Sequence, residues 1–417
     1  VEPAIFGTLF ERSLDPGKRS QLGAHYTSKA DILLIVEPVL MEPLRKRWQT
    51  VKAEATAIAE KAAATPKGQT YTKLRAQMQE KLFAWVEELA SVRILDPACG
   101  SGNLLYLALK RMLDLWREVQ VFSAEHGLPT ILPKQVHPSQ LYGLETNVYA
   151  HELASVVVWI GYLQWLKDNG IGWPVEPILR KLTNIQHRDA VLAHDADGKP
   201  VEPAWPEADC IIGNPPFLGG NRIRQELGDT YVENLFELYA GRVPPFADLV
   251  CYWFERARAQ VQAGKSHRAG LLATQGIRGG VNRVVLERIK ENGDIFMAWS
   301  DREWVLNGAA VHVSIVGFDN GIRTERTLDG ASVTQIHSDL TSESKLTDAQ
   351  KLEENLGICF MGASPKGPFD IDRETAMKMH SAPLNVNGRP NSDVVRPVAS
   401  GIDLVQKSRT NGQSISE

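Results

Sequence analysis

The sequence predicts an α/β fold, a doubly wound and mostly parallel sheet, with a helical segment before it and an irregular extension after it. Three observations carry this expectation. Short apolar runs alternate with stretches of helical length between residues 94 and 318. The turn after the first run is glycine-rich and opens directly into a helical pattern. The runs also end in acids, or in Gly-Asn-Pro-Pro, where a parallel sheet gathers ligand-binding residues beyond the carboxyl ends of its strands.

The elements follow in order. Ala4-Ile-Phe-Gly-Thr-Leu-Phe10 reads as a helix, and "GAHYTSKADILLIVEPVL" as a Gly-bearing loop. From Met41 to Leu89 the composition turns rich in Ala, Glu, Lys, Gln and Arg, with a break at Pro66-Lys67-Gly68. That is the signature of an exposed two-helix hairpin, with nothing catalytic in it. Ile94-Leu95 is the first strand, running into "DPACGSG" and a helix from Asn103. Gln140 to Leu144 forms the second strand, ending in Glu145, and an apolar helix spans Val148 to Lys167. A third strand over Leu182 to Ile185 meets Asp189, and Ala208 to Ile212 makes a fourth, short and central. Further on, Asp248 to Gln262 reads as helix, Arg268 to Thr274 as strand, Val281 to Glu291 as helix and Ala310 to Phe318 as an alternating strand. Beyond Asn320 the chain becomes polar and irregular and is expected outside the sheet, so three segments are drawn: 1–90, 91–320 and 321–417.

Composition bounds the function. The 417 residues, 43% hydrophobic and 23% charged, are those of a globular protein, long enough for one large core or two modest ones. The longest apolar run, Leu153 to Leu163, is too short to span a bilayer, and no signal peptide opens the sequence, so a cytoplasmic location and no membrane are expected. Cys99, Cys210, Cys251 and Cys359 lack metal-ligand spacing, so neither a metal nor a disulfide framework is expected. A net charge of -4 lacks the basic footprint of most nucleic-acid binders, although basic residues can still line one face.

Two stretches carry chemistry. In Asp96-Pro97-Ala98-Cys99-Gly100-Ser101-Gly102 the glycines let a ligand approach the backbone, but Leu105 occupies the third glycine position of a dinucleotide fingerprint, which argues against a pyrophosphate cradle. Asp96 suits hydration or a cationic amino group. Glu145 suits the two hydroxyls of a ribose, or is simply a solvated loop carboxylate. In "CIIGNPPFLGG" the prolines either just end a strand or build a polar clamp. In the clamp, prolines restrict the backbone, the Asn214 amide and a carbonyl accept hydrogen bonds, and the Phe217 face offers stacking to a planar ligand with an amino group.

Together these residues resemble the class I S-adenosylmethionine-dependent N6-adenine DNA methyltransferases. The matches are "ILDPACGSGNLL", "LYGLETN" and "IIGNPPF", with "GAHYTS" lying upstream as in the gamma arrangement. The resemblance spans Ile5 to Phe318 and implies S-adenosylmethionine as cofactor and DNA as partner. It implies that Tyr26 and Thr27 hold the methionine end of the cofactor, and that Asp96, Ala98, Gly100 and Gly102 shape its pocket. Glu145 would bind the ribose and Asp189 the cofactor adenine. Asn214 and the Pro215 carbonyl would accept from the target amino group, with Pro216 stiffening the loop and Phe217 stacking on an extruded base. Asn214 also borders the cofactor. Trp304 is the candidate second ring, with an ordinary core or surface tryptophan as the alternative. Arg222 and Arg224, in an insertion that also holds Arg242, either contact DNA phosphates or sit on a solvated loop.

The wording of "AIFGTLFERSLDP", "GVNRVVLERI" and "NGAAVHVSIVGFD" looks like the methyltransferase portion of large single-chain restriction-modification and phage-defence proteins. In those a recognition region follows, and "VVRPVASGIDLVQKS" resembles its beginning, which suggests a missing domain or a recognition or nuclease partner subunit. No Pro-Cys pair is present for C5-cytosine methylation. N4-cytosine methylation uses the same amino chemistry, though that group usually shows Ser or Asp where Asn214 stands. Two alternatives stay open: a protein-glutamine methyltransferase, and a cofactor-binding DNA-recognition subunit that needs a partner for activity.

Overall fold

The computed structural model describes residues 28–128, 135–172, 182–306, 309–342, 370–398 and 414–416. The chain divides into two compact units, residues 1–347 and 348–417. The helix expected over Ala4 to Phe10, together with Tyr26 and Thr27, lies outside the described residues.

In the first unit, α1 (Lys29–Val36) starts at Ser28, whose hydroxyl accepts from the Asp31 amide at 3.2 Å. It continues as a π-turn over Glu37–Met41, where Pro38 removes a helical donor. The loop expected for this stretch is therefore mostly helix, and its apolar residues pack onto the sheet. A Cβ on Gly270 would meet Val39 at 2.4 Å, so the turn lies directly on a strand. The hairpin α2 (Glu42–Ala63) and α3 (Gln69–Ser91) breaks at the expected Pro66 to Gly68. It is less exposed than its composition suggests. Trp48 and Trp85 stack at 6.3 Å, and Trp48 meets Phe122 edge-on at 5.6 Å, which joins the hairpin to α4 (Asn103–Glu125).

The strands are β1 (Ile94–Asp96), β2 (Leu141–Glu145), β3 (Ile185–His187), the small hairpin β4 (Ala193–His194) and β5 (Pro200–Val201), β6 (Cys210–Gly213), β7 (Arg268–Thr274), β8 (Asp294–Leu306), β9 (Ala309–Asp319), β10 (Arg326–Leu328) and β11 (Ala331–Val333). Between them run α5 (Val148–Asp168), α6 (Ile223–Leu227), α7 (Asp229–Leu238), α8 (Val250–Gln262) and α9 (Val284–Asn292). The main sheet has the order β11-β10-β8-β9-β7-β6-β1-β2-β3. Strands β3, β2, β1, β6 and β7 are parallel, and β9 is antiparallel to both of its neighbours. Strand alternation divides the core: Ile94, Ile212 and Leu272 face the cluster under α2 to α5, while Leu95, Ile211 and Leu271 face the cluster under α7 to α9.

Three departures from expectation bear most on the sheet. β3 begins at Ile185, three residues late, because Leu182 to Asn184 form the turn into it. β8 was not anticipated: its register shifts between Ile295 and Met297, and again between Trp299 and Arg302, which breaks the period-2 pattern. The sheet also continues past Asn320 through β10 and β11, so the expectation that it ends there is corrected. These two strands are short, with only Leu328 buried, and they carry no hydrophobic alternation.

The second unit holds β12 (Asp370–Ile371), α10 (Arg373–Ser381), β13 (Arg396–Val398) and β14 (Ser414–Ser416), with β14 between β12 and β13 in an antiparallel sheet. Asp372 caps α10 by accepting from the Thr375 amide at 2.9 Å. Among the described residues no helix is long and apolar enough to cross a membrane.

Candidate active site

Strand order reverses at β1, which has β2 on one side and β6 on the other. The crevice beyond the carboxyl ends at such a switch point is where an open α/β sheet binds ligands. Asp96, Glu145 and Asn214 all lie at or just past these ends. Asp96 and the start of the Asn214 loop adjoin: a Cβ on Gly213 would meet Asp96 Oδ1 at 3.1 Å and Pro97 at 3.3 Å. Glycine there lets the two loops lie side by side.

The glycine-rich loop is rigidly mounted. Asp96 is 2% exposed and its Oδ1 accepts from the Ala98 amide at 3.0 Å. Burial pushes its carboxyl up to about 8, the negative charge of Glu145 adds to the rise, and the Ala98 amide opposes it. Glu145 ties the loop to β2, accepting from the Gly100 amide at 2.9 Å through Oε2 and from the Asn147 amide at 2.7 Å through Oε1. Its carboxyl is also raised, by burial first, against those amide bonds. Gly100 has φ +52° with open space where a Cβ would stand, and Gly102 has φ +82° against Ala154 at 3.0 Å. The first makes an open cradle, and the second lets α4 start close against α5.

Two residues with no signal in the sequence complete this part. Trp253 of α8 donates from Nε1 to the Pro97 carbonyl at 2.9 Å, holding the loop from the opposite face of the sheet. Asp189 turns back on its own backbone, with Oδ1 accepting from the Val191 and Leu192 amides at 2.7 and 3.1 Å. Its Oδ2 accepts from the Tyr231 hydroxyl of α7 at 2.8 Å. Burial, followed by the Asp189 charge, pushes the Tyr231 phenol up, so it stays protonated and donating.

In the Asn214 loop, Pro215 is buried, while Asn214, Pro216 and Phe217 are half-buried. Phe217 meets Trp304 of β8 edge-on, with ring centroids 6.4 Å apart. The fold thus brings together two rings 87 positions apart in the chain. Trp304 is 7% exposed and packs with the core, so its core role and its place beside Phe217 coexist. The inserted arginines are engaged locally: Arg222 with Glu226 at 2.7 Å, Arg224 with Asp229 at 2.8 Å and Glu233 at 3.3 Å, and Arg242 with Glu202 at 2.5 Å. Cys99, Cys210 and Cys251 are buried free thiols, and among the described residues no cluster of His, Cys, Asp or Glu is arranged to hold a metal ion.

A family model described as the DNA-methyltransferase domain of MmeI matches residues 72–329, more than half of the chain. The chain belongs to that family. The matched span runs from α3 to the start of the β10–β11 turn, and so includes every strand of the switch point. DNA methyltransferase A of Bacillus subtilis (strain 168) is 26% identical over 331 residues, covering 76% of this chain and 34% of the relative. The solved structure of the Type IIL restriction-modification enzyme MmeI in complex with DNA shares the fold, with a TM-score of 0.71 at 22% identity, over 100% of this chain and 54% of that one. The chain therefore spans about a third of the one and about half of the other.

Proposed function

We propose that this chain transfers a methyl group from S-adenosylmethionine to the N6 amino group of an adenine extruded from DNA, within a bacterial restriction-modification or phage-defence system in the cytoplasm. The observation that carries the reading is the placement of Asn214-Pro215-Pro216-Phe217 beside the Asp96 loop at the switch point, with Trp304 against Phe217. The residues fit the cofactor. The open cradle at Gly100 would admit it, Glu145 would offer carboxylate oxygens to its ribose, Asp189, held by Tyr231, would meet its adenine, and buried Asp96 would supply a negative charge to its cationic end. Ala98 and Gly102 shape the same pocket. When bound, the cofactor supplies an electrophilic methyl group.

The chain's own residues do the rest. An aromatic amine is a poor nucleophile because its lone pair is delocalised into the ring. The Asn214 side-chain oxygen and the Pro215 carbonyl accept its two N–H bonds, favour a pyramidal nitrogen and aim the lone pair, so positioning and electrostatics replace a strong base. Pro216 limits the loop's freedom, and Phe217 stacks on the base, offsetting the few kcal/mol that extrusion costs. The Arg224–Asp229 pair is exposed and worth about 0–1 kcal/mol, so exchange for a DNA phosphate is open to Arg224, while Arg222 is itself exposed but held by the largely buried Glu226. Recognition of a particular sequence is assigned to further parts of a longer protein or to a partner subunit.

The test is transfer of labelled methyl from S-adenosylmethionine to unmethylated genomic DNA, with Asn214→Ala as control. Incorporation lost in the variant, with cofactor binding still measurable, is the expected result. Equal incorporation by the variant would remove the role given to this loop.

A further inference from the structure

Just past the Asn214 loop lies an open groove of about 800 Å³. One wall is Gly219 to Arg222 with Phe246, and the other is the segment Gln275 to Asn282 that follows β7. Phe246 is 62% exposed although aromatic, and has φ +66°, a left-handed backbone that is strained for a bulky residue. Its surroundings hold it in that state. The Phe246 carbonyl lies where a Cβ on Gly220 would stand, 1.8 Å away. The Leu249 amide donates to the Leu218 carbonyl at 2.9 Å, and the Gly220 amide donates to Asp248 Oδ1 at 3.1 Å. The walls are tied to each other as well, since the Asp248 amide donates to Asn282 Oδ1 at 2.8 Å and Thr274 donates to Asp248 Oδ2 at 3.3 Å. The turn carrying Phe246 is thus fastened to the catalytic loop, and its ring, edge-on to Phe236 at 6.1 Å, stays largely exposed.

The glycines of the groove point the same way. Gly279 has an extended backbone at φ -141°, with nothing within 4 Å of where a Cβ would be, and Gly219 would meet only Asp248 at 3.8 Å. Neither conformation nor internal packing requires glycine at these two positions. Bare backbone on a groove wall suits the close approach of another chain. The chemistry of that chain follows from the lining. Asn221 and Gln275 offer donors, as do Arg222 and Arg278 beyond the bonds they make to Glu226 and to the Ser300 carbonyl, while the one acid, Asp248, is engaged by Gly220 and Thr274. Exposed apolar surface is limited to Phe246 and Val281, too little for a helical peptide that needs a continuous apolar floor. Donors, bare backbone and an exposed ring face suit a nucleic-acid strand, by phosphate contact and base stacking.

We propose that this groove carries the DNA strand flanking the target nucleotide, with Phe246 stacking on a neighbouring base and the sugar–phosphate chain passing over Gly219 and Gly279. The proposal rests on the DNA reading above. It is tested on the full-length protein with p-benzoylphenylalanine placed at position 246, or at Val121 near the far end of α4 as an exposed control. Irradiation with methylatable DNA is expected to give a protein–DNA adduct from position 246 and none from 121. Gly279→Val, which meets open space, is expected to lower kcat/KM for DNA about tenfold with melting temperature and cofactor affinity unchanged. A preparation that methylates DNA yet gives no adduct from 246, or adducts only to protein, overturns the proposal, as does full activity of Gly279→Val. A wild type that binds cofactor and transfers nothing to DNA removes the reading beneath the proposal, and the proposal with it.

Discussion

Cofactor binding should release a proton from Asp96. Burial holds this carboxyl at about 8, against 3.8 for an ordinary aspartate, so below pH 8 it is protonated in the free folded protein. A cationic ligand selects the ionised form. Below the folded pKa of about 8, as long as the carboxyl stays ionised in the complex, each pH unit therefore strengthens binding by up to about tenfold, with a plateau above it. The same shift has the opposite sign for folding. Asp96 contributes stability that is fully present below pH 3.8 and is lost as pH rises through about 8. Glu145, also raised by burial, adds to this trend. The assay is titration calorimetry of S-adenosylmethionine binding near about pH 6.5, in two buffers of different ionisation enthalpy, so that buffer dependence counts protons. Wild type minus Asp96→Asn isolates the carboxylate, because the ligand's own groups titrate equally in both. A difference close to one proton, with a flatter affinity profile in the variant, is expected. No difference in proton count would refute the reasoning.

Other perturbations follow from the same contacts. Tyr231→Phe removes the 2.8 Å bond that orients Asp189 and should weaken cofactor binding about fivefold, while kcat at saturating cofactor stays unchanged; a normal Kd would show that Asp189 needs no such support. Trp253→Phe breaks the bond to the Pro97 carbonyl and should cost about 1–2 kcal/mol of stability in a urea titration, with weaker cofactor binding; an unchanged midpoint would mean that the loop is held without it. Gly143→Ala places a methyl 2.8 Å from Cys99 Sγ and should destabilise by about 1–3 kcal/mol, with partial recovery in the double variant with Cys99→Ala. Failure of Cys99→Ala to restore any stability would place the strain elsewhere.

These contacts also mark what the sequence could tell. Asp96, Glu145 and Asn214 were legible because each closes a short apolar strand, and a parallel sheet brings such closing residues to one edge. The π-turn was hidden because "LLIVEPVL" has no polar face: its apolar residues run all round the helix, buried or half-buried, and Pro38 reads as a stop. β8 was hidden by its two bulges, and β10 with β11 by strands too short and exposed to alternate. Trp253 and Tyr231 were invisible for a different reason. Their partners, Pro97 and Asp189, lie 156 and 42 positions away, and only the closed sheet brings them within hydrogen-bond reach. Phe246 is a third such case: one aromatic residue in an insertion carries no pattern, and its left-handed backbone is set by the neighbouring Gly220.

The central claim is that the Asn214 loop presents the amino group of adenine. Its most direct test is mass-spectrometric analysis of nucleosides from DNA incubated with the full-length protein and S-adenosylmethionine, beside the same reaction with Asn214→Ala. The account predicts N6-methyladenine as the sole new nucleoside, absent with the variant. N4-methylcytosine in its place, or N6-methyladenine that persists in Asn214→Ala, would contradict it.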